Sequence, residues 1–90
     1  MNIGSAVHEA ASDVAAIRGI LAQYGHLAVD AQSLQEDSDL YLAGLTSLAT
    51  VNVMLALENH FDIEFPDSML SRRTFVSLEA IAEAVAELAR

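Results

Sequence analysis

Along the first quarter of the chain, apolar residues recur at Val7, Ala10, Val14, Ile17, Leu21 and Tyr24, spacings of three and four that lay one stripe on a helix. The pattern predicts a helix over about 5–24, stopped by Gly25, with Glu9, Asp13 and Arg18 on a solvated face. A second periodic stretch covers about 47–60, where Val51, Met54, Leu57 and Phe61 mark the side that faces the core. Leu48, Asn52, Leu55 and Asn59 fall on a different stripe, so this helix is apolar on more than one side. That second stripe needs a partner, or else, with the helix rotated, Leu48 and Leu55 belong to the core. Thr46 can cap this helix by accepting a free first-turn N–H.

Pro66 suits the first turn of a short helix over 67–72. Ser77 is an N-cap for a last helix over 78–89, whose apolar face is Leu78, Ile81, Ala82, Val85, Leu88 and Ala89. Glu79, Glu83 and Glu87 stack opposite as an exposed acidic stripe. The expected fold is all-α, an antiparallel four-helix bundle with a long first connection and a short third helix, forming a single domain over 1–90. Its core positions are Val14, Ile17, Leu21, Val51, Met54, Leu57, Phe61, Ile63, Leu78, Ile81 and Val85. Between Gly25 and Thr46 run roughly 22 residues rich in Asp, Ser, Gln and Gly, with Leu27, Leu34, Leu40 and Leu42 as candidate anchors. A connection of that length in a small domain carries local structure or function.

Composition agrees with helices: 53% of residues are hydrophobic and only five are Gly or Pro. Charge narrows the partners. Thirteen acids against four arginines, with no lysine, give a net charge of −9, which repels nucleic acid and anionic membranes and favours protein partners. Without cysteine there is no disulfide and no thiolate metal site, and any thiol chemistry must be imported. The N-terminus lacks the basic and apolar regions of a secretory signal, so a cytoplasmic location is expected. The uncharged run from Leu40 to Leu57 is broken by Gly44, Thr46, Ser47, Thr50 and Asn52 and flanked by acids, unlike a membrane span.

The informative stretch is Leu40-Tyr-Leu-Ala-Gly-Leu-Thr-Ser-Leu48, with Leu57-Glu-Asn-His-Phe-Asp-Ile-Glu-Phe-Pro66 closing the helix that follows. It resembles the acyl/peptidyl carrier protein family, in which a Gly-x-Asp-Ser-Leu motif presents a modified serine at the start of helix two. The resemblance spans essentially the whole chain. It implies that Ser47 takes a covalent 4'-phosphopantetheine arm from coenzyme A, with Gly44, Thr46 and Leu48 as its motif neighbours. Thr46 stands where the family usually has Asp, keeping the cap but losing the charge. The implied function is that of a non-catalytic, monomeric carrier holding an acyl or aminoacyl thioester. A phosphopantetheinyl transferase modifies it, a charging ligase or synthase loads it, and a downstream acyl- or aminoacyl-accepting enzyme unloads it.

Physical chemistry suits that role, because an anionic phosphodiester at a helix N-terminus meets free N–H groups and the positive end of the dipole, worth about 0.3–1 kcal/mol. If exposed, Leu48 and Leu55, with Asn52 between them, form a partner-binding face led by apolar contact: about 1.5–3 kcal/mol for each buried side chain against about 0–1 for a surface ion pair. Carriers of fatty acid synthesis are acid-rich in helix two, whereas here the first acid after Ser47 is Glu58. The chain thus looks more like a specialised carrier of amino acids or unusual short acyl groups.

Taken alone, Ser47 is an ordinary first-turn serine, and two other functions fit the bare pattern: an unmodified helical protein-interaction module, or a small hydrolase using Ser47. For the hydrolase, Ser47 and His60 stand at opposite ends of one helix, roughly 20 Å apart at 1.5 Å per residue. His8, His26 and His60 are scattered without a metal-binding motif and read as solvated. Arg72 and Arg73 read as solvated too, or as contacts for a partner's acids or for the arm's phosphate.

Overall fold

A computed structural model describes the backbone of residues 3–89 and the side chains of residues 13–89. The side chains of Val7, His8, Glu9 and Ala10 lie outside the described residues. Helix α1 spans Ile3–Tyr24, α2 spans Ser47–Phe61 and α3 spans Leu78–Leu88, with 3-10 turns at Ala31–Ser33, Asp67–Met69 and Arg72–Phe75. There is no strand among the described residues, and no helix long and apolar enough to cross a membrane.

Each expected helix boundary falls within two residues of the observed one, except over 67–72. There the chain makes two separate 3-10 turns, because Leu70 leaves helical geometry (φ −85°, ψ 69°) between them. A segment this short gains too few hydrogen bonds to offset helix nucleation. Gly25 does end α1: its N–H donates to the Leu21 carbonyl at 2.8 Å, while a Cβ there would sit 2.7 Å from that same oxygen. The left-handed turn falls one residue later, on His26 (φ 50°).

The core joins Ile17, Ile20 and Leu21 of α1, Ala49, Val53 and Leu57 of α2, and Leu78, Ile81, Ala84 and Val85 of α3. Phe65 and Phe75, which helical periodicity did not place, pack at 5.4 Å between ring centroids. The expected phase of α2 is corrected by about one residue: its buried stripe is Ala49, Val53 and Leu57, whereas Val51 is 48% exposed and Met54 half-buried. Val14, Phe61 and Ile63, also assigned to the core, are half-buried, Phe61 and Ile63 against its edge.

The long connection is ordered by its own bonds. Leu34, Leu40 and Leu45 are buried, while Leu42, expected as an anchor, is 87% exposed. Arg18 is not on a solvated face: its Nη1 donates to the Ala31 and Leu34 carbonyls at 2.9 and 2.7 Å, tying α1 to the connection. Backbone bonds from Leu40 to Val76 (2.7 Å) and from Glu79 to Glu36 (2.9 Å) fasten it to the entry of α3. There Ser77 caps α3 by accepting from the Ala80 N–H at 3.0 Å, and Glu79, Glu83 and Glu87 lie exposed as expected.

The burial pattern separates two leucines of one helix. Leu57→Ala should cost about 2–5 kcal/mol of stability, whereas Leu48→Ala should stay within about 0.5 kcal/mol; urea unfolding midpoints of the two variants check this.

Candidate functional site

Ser47 is the first residue of α2, and its side chain is exposed. Three local features put it there. Leu40 and Leu45 sink into the core on either side of the turn 41–44, and the Leu45 N–H donates to the Leu40 carbonyl at 2.9 Å. Asp39 Oδ1 holds that turn from inside, accepting from the N–H groups of Tyr41 (2.9 Å) and Leu42 (3.2 Å). Gly44 then crosses close to the earlier part of the connection with φ +112°, and a Cβ at this position would stand 2.8 Å from the Ala28 nitrogen. Only glycine takes both that φ and that approach cheaply. Beside it, the Ala28 N–H donates to the Ala43 carbonyl at 2.8 Å.

Thr46 is the N-cap. Its Oγ1 accepts from the Ala49 N–H at 3.1 Å, and its carbonyl accepts from the Thr50 N–H at 2.9 Å and the Thr50 hydroxyl at 2.7 Å. At the far end, α2 stops on Asp62 in the left-handed region (φ 56°), with the Asp62 and Ile63 N–H groups both turned back to the Glu58 carbonyl. Glu58 Oε2 accepts from the Phe65 N–H at 2.9 Å, which fixes the Ile63–Pro66 segment and gives the Leu57-Glu58 pair of the sequence motif a structural role.

Next to Ser47 opens a groove of about 290 Å³, lined by Tyr41, Ser47, Thr50, Val51, Met54, Leu70, Ser71, Arg72 and Phe75. Periodicity missed it, because Val51 and Met54 were assigned inward and the turns at 67–69 and 72–75 are set by tertiary packing. The Arg72 guanidinium carbon lies 4.0 Å from the centre of the Tyr41 ring, at cation–π distance. Among the described residues neither a histidine nor a carboxylate lines the groove, so none of them serves Ser47 as a general base there, and a catalytic triad with His60 is not assembled. No cluster able to hold a metal ion exists among the described residues.

Along α2, away from the core stripe, Leu48 is 75% and Leu55 52% exposed, with Asn52 exposed between them. The rotated alternative, in which Leu48 and Leu55 fill the core, is thereby excluded. Leu42 and Leu70 are exposed apolar side chains as well, and Leu70 lines the groove with Ser47.

Comparisons with known proteins converge on one family. A family model described as "Phosphopantetheine attachment site" matches residues 15–85. An aminoacyl carrier protein of Agrobacterium fabrum is 48% identical over 71 residues, covering 79% of this chain and 86% of that protein. A D-alanyl carrier protein of Streptococcus mutans is 43% identical over 53 residues, 58% of this chain and 67% of that one. Among solved structures, an engineered Bradyrhizobium japonicum glycine:[carrier protein] ligase complexed with the carrier protein of Agrobacterium tumefaciens and AMP contains a chain with TM-score 0.77 and 47% identity, covering 83% of this chain and 99% of that one. A second such ligase, complexed with glycylated carrier protein, contains a chain with TM-score 0.69 and 28% identity, covering 82% and 97%.

Two backbone features carry the presentation of Ser47 and should be separable. Gly44→Ala should cost about 1–3 kcal/mol through its strained φ and the approach to Ala28, whereas Thr46→Ala should cost about 1 kcal/mol through the lost cap, with Thr46→Asp recovering it. Chemical denaturation of the three variants measures each cost.

Proposed function

The chain belongs to the phosphopantetheine attachment-site family and is a non-catalytic carrier with a covalent 4'-phosphopantetheine group, and from that premise we propose that Ser47 is the attachment residue. The observation that carries this assignment is an exposed hydroxyl at the first residue of α2, at the edge of a groove to which the described residues bring no histidine or carboxylate. Such a serine needs its activation from outside, so a phosphopantetheinyl transferase supplies the base and coenzyme A the arm. Gly44 and Thr46 hold the backbone that presents Ser47, and Leu48 flanks it. The residues fit the group: hydroxyls of Thr50 and Ser71 and the Arg72 guanidinium stand on the same groove as Ser47, next to apolar Val51, Met54 and Leu70. The arm supplies the thiol that this chain lacks, and that thiol carries the cargo as a thioester.

The cargo is aminoacyl and small. The relatives named as aminoacyl and D-alanyl carriers support this, as do the structures in which a similar chain accompanies a glycine ligase, once with the carrier glycylated. The charging enzyme is then an amino acid:carrier protein ligase that docks on Leu48, Asn52 and Leu55, and a downstream acceptor enzyme visits the same face. We read the whole chain as one monomeric carrier domain acting in the cytoplasm. Its two 3-10 turns over 67–75 stand where an antiparallel four-helix carrier has its short third helix.

Incubation with coenzyme A and a broad-specificity transferase should add one phosphopantetheine to the wild-type chain and none to Ser47→Ala, read by intact mass; addition to folded Ser47→Ala would move the site elsewhere. With the arm in place, Leu48→Ala combined with Leu55→Ala should raise the KM of a glycine:[carrier protein] ligase by about tenfold or more, since about 1.4 kcal/mol of lost apolar burial is a factor of ten. Unfolding curves close to those of wild type keep that readout specific to docking.

A further inference from the structure

We propose that Arg18 of α1 is a positioning residue for the reaction at Ser47, holding the connection so that the first turn of α2 offers its hydroxyl in one geometry; this rests on Ser47 being the attachment residue. Arg18 does not line the groove at the serine and acts from a distance. Its Nη1, which carries two N–H groups, donates to the carbonyls of Ala31 at 2.9 Å and Leu34 at 2.7 Å. Those carbonyls belong to the 3-10 turn Ala31–Ser33 and the residue that ends it. The other end of the turn is capped by Asp30, and the side chains of Ala31 and Leu34 are buried. The segment is thus pinned on one side by the core and on the other by a single guanidinium.

From that turn the hold passes to Ser47 in short steps. Ala28, two residues before the Asp30 cap, donates to the Ala43 carbonyl at 2.8 Å, and Gly44 passes so close that a Cβ there would stand 3.3 Å from the Cβ of Ala28. Leu45 then sinks into the core, and Thr46 caps α2 by accepting from the Ala49 N–H. Asp39 and the bond from Leu45 to Leu40 shape the turn 41–44 from within, but neither reaches α1. Among the described residues, the side-chain hydrogen bonds from α1 to the connection are those of Arg18.

The consequence is a change of population rather than of chemistry. A helix frays first at its ends, and Ser47 is the first residue of α2. Without the Arg18 bonds the segment 28–34 loses its tie to α1, Gly44 loses its backing, and the first turn of α2 opens more often. In the open states Thr46 no longer holds Ala49 and the serine has no fixed place. A transferase that binds the ordered turn sees its apparent affinity fall in proportion to that population, while the step on the bound complex is unchanged. The loss therefore lies in KM and not in kcat.

The test uses Arg18→Met, which removes the donors and keeps an apolar stem, at a temperature where circular dichroism shows both chains folded. With coenzyme A and a broad-specificity transferase, the KM for the carrier should rise about fivefold or more, the lower end of coupling between linked sites, with kcat unchanged. Hydrogen exchange should quicken at the Ala49 and Thr50 amides, which bond to Thr46, and stay as in wild type through α3. A general loss of stability speeds both regions alike. Arg18→Lys, which keeps a donor on a different head group, should recover part of the KM. Because Gly44→Ala already disturbs the crossing, adding Arg18→Met to it should raise KM by less than Arg18→Met does alone. A wild-type KM in folded Arg18→Met, equal quickening of exchange in α3, or full additivity with Gly44→Ala overturns the positioning role alone. A wild-type chain that accepts no arm overturns the attachment reading beneath it.

Discussion

Helix α2 buries a single narrow stripe, Ala49, Val53 and Leu57, and the outward direction of everything else on it follows from that. Two of the three residues are small. Packed on α1 through this narrow stripe, α2 has only one side of the helix in the core. Ser47, Leu48, Val51 and Leu55 are therefore outside, although three of the four are apolar. Such an exposed apolar face is the surface on which the proposed docking of a partner would recover burial.

The connection before α2 does the complementary work of bringing Ser47 to a defined place. It has little regular structure, but its backbone groups are paired: Arg18 takes two of its carbonyls, Val76 and Glu36 join it to the start of α3, and Ala28 meets Ala43 beside the Gly44 crossing. Two of these ties reach α1 and the entry of α3 and the third closes the connection on itself, so the serine's position is referenced to the core rather than to its own helix alone. A loop built this way can be long without the entropy penalty of a mobile one, since its residues are ordered by the same core they help to close.

Electrostatics act at two ranges. The net charge of −9 governs solubility and the approach of partners, and the acids of α3 lie exposed along one stripe. Around Ser47 the picture differs, because α2 carries no acid before Glu58 and Arg72 stands on the groove. In the proposed docking, recognition there is led by apolar burial, and the negative field of the molecule acts mainly on the encounter rate.

Much of this was legible in the chain itself. Period-3.6 stripes placed α1, α2 and α3 within two residues, Thr46 and Ser77 announced their caps, and the Gly44-to-Leu48 motif with its Leu57-to-Pro66 sequel pointed to Ser47 as the proposed attachment residue, because local hydrogen bonding and turn chemistry depend on neighbours in sequence. What the tertiary structure alone decided is the rotation of α2, the burial of Leu45 in place of Leu42, the clamp by Arg18 and the groove with Arg72. An almost uncharged helix offers several apolar stripes of similar strength, so its phase is chosen by the shape of α1, on which it packs. Similarly, Arg18 finds its carbonyls, and Arg72 its tyrosine, only once segments distant in sequence have been packed together.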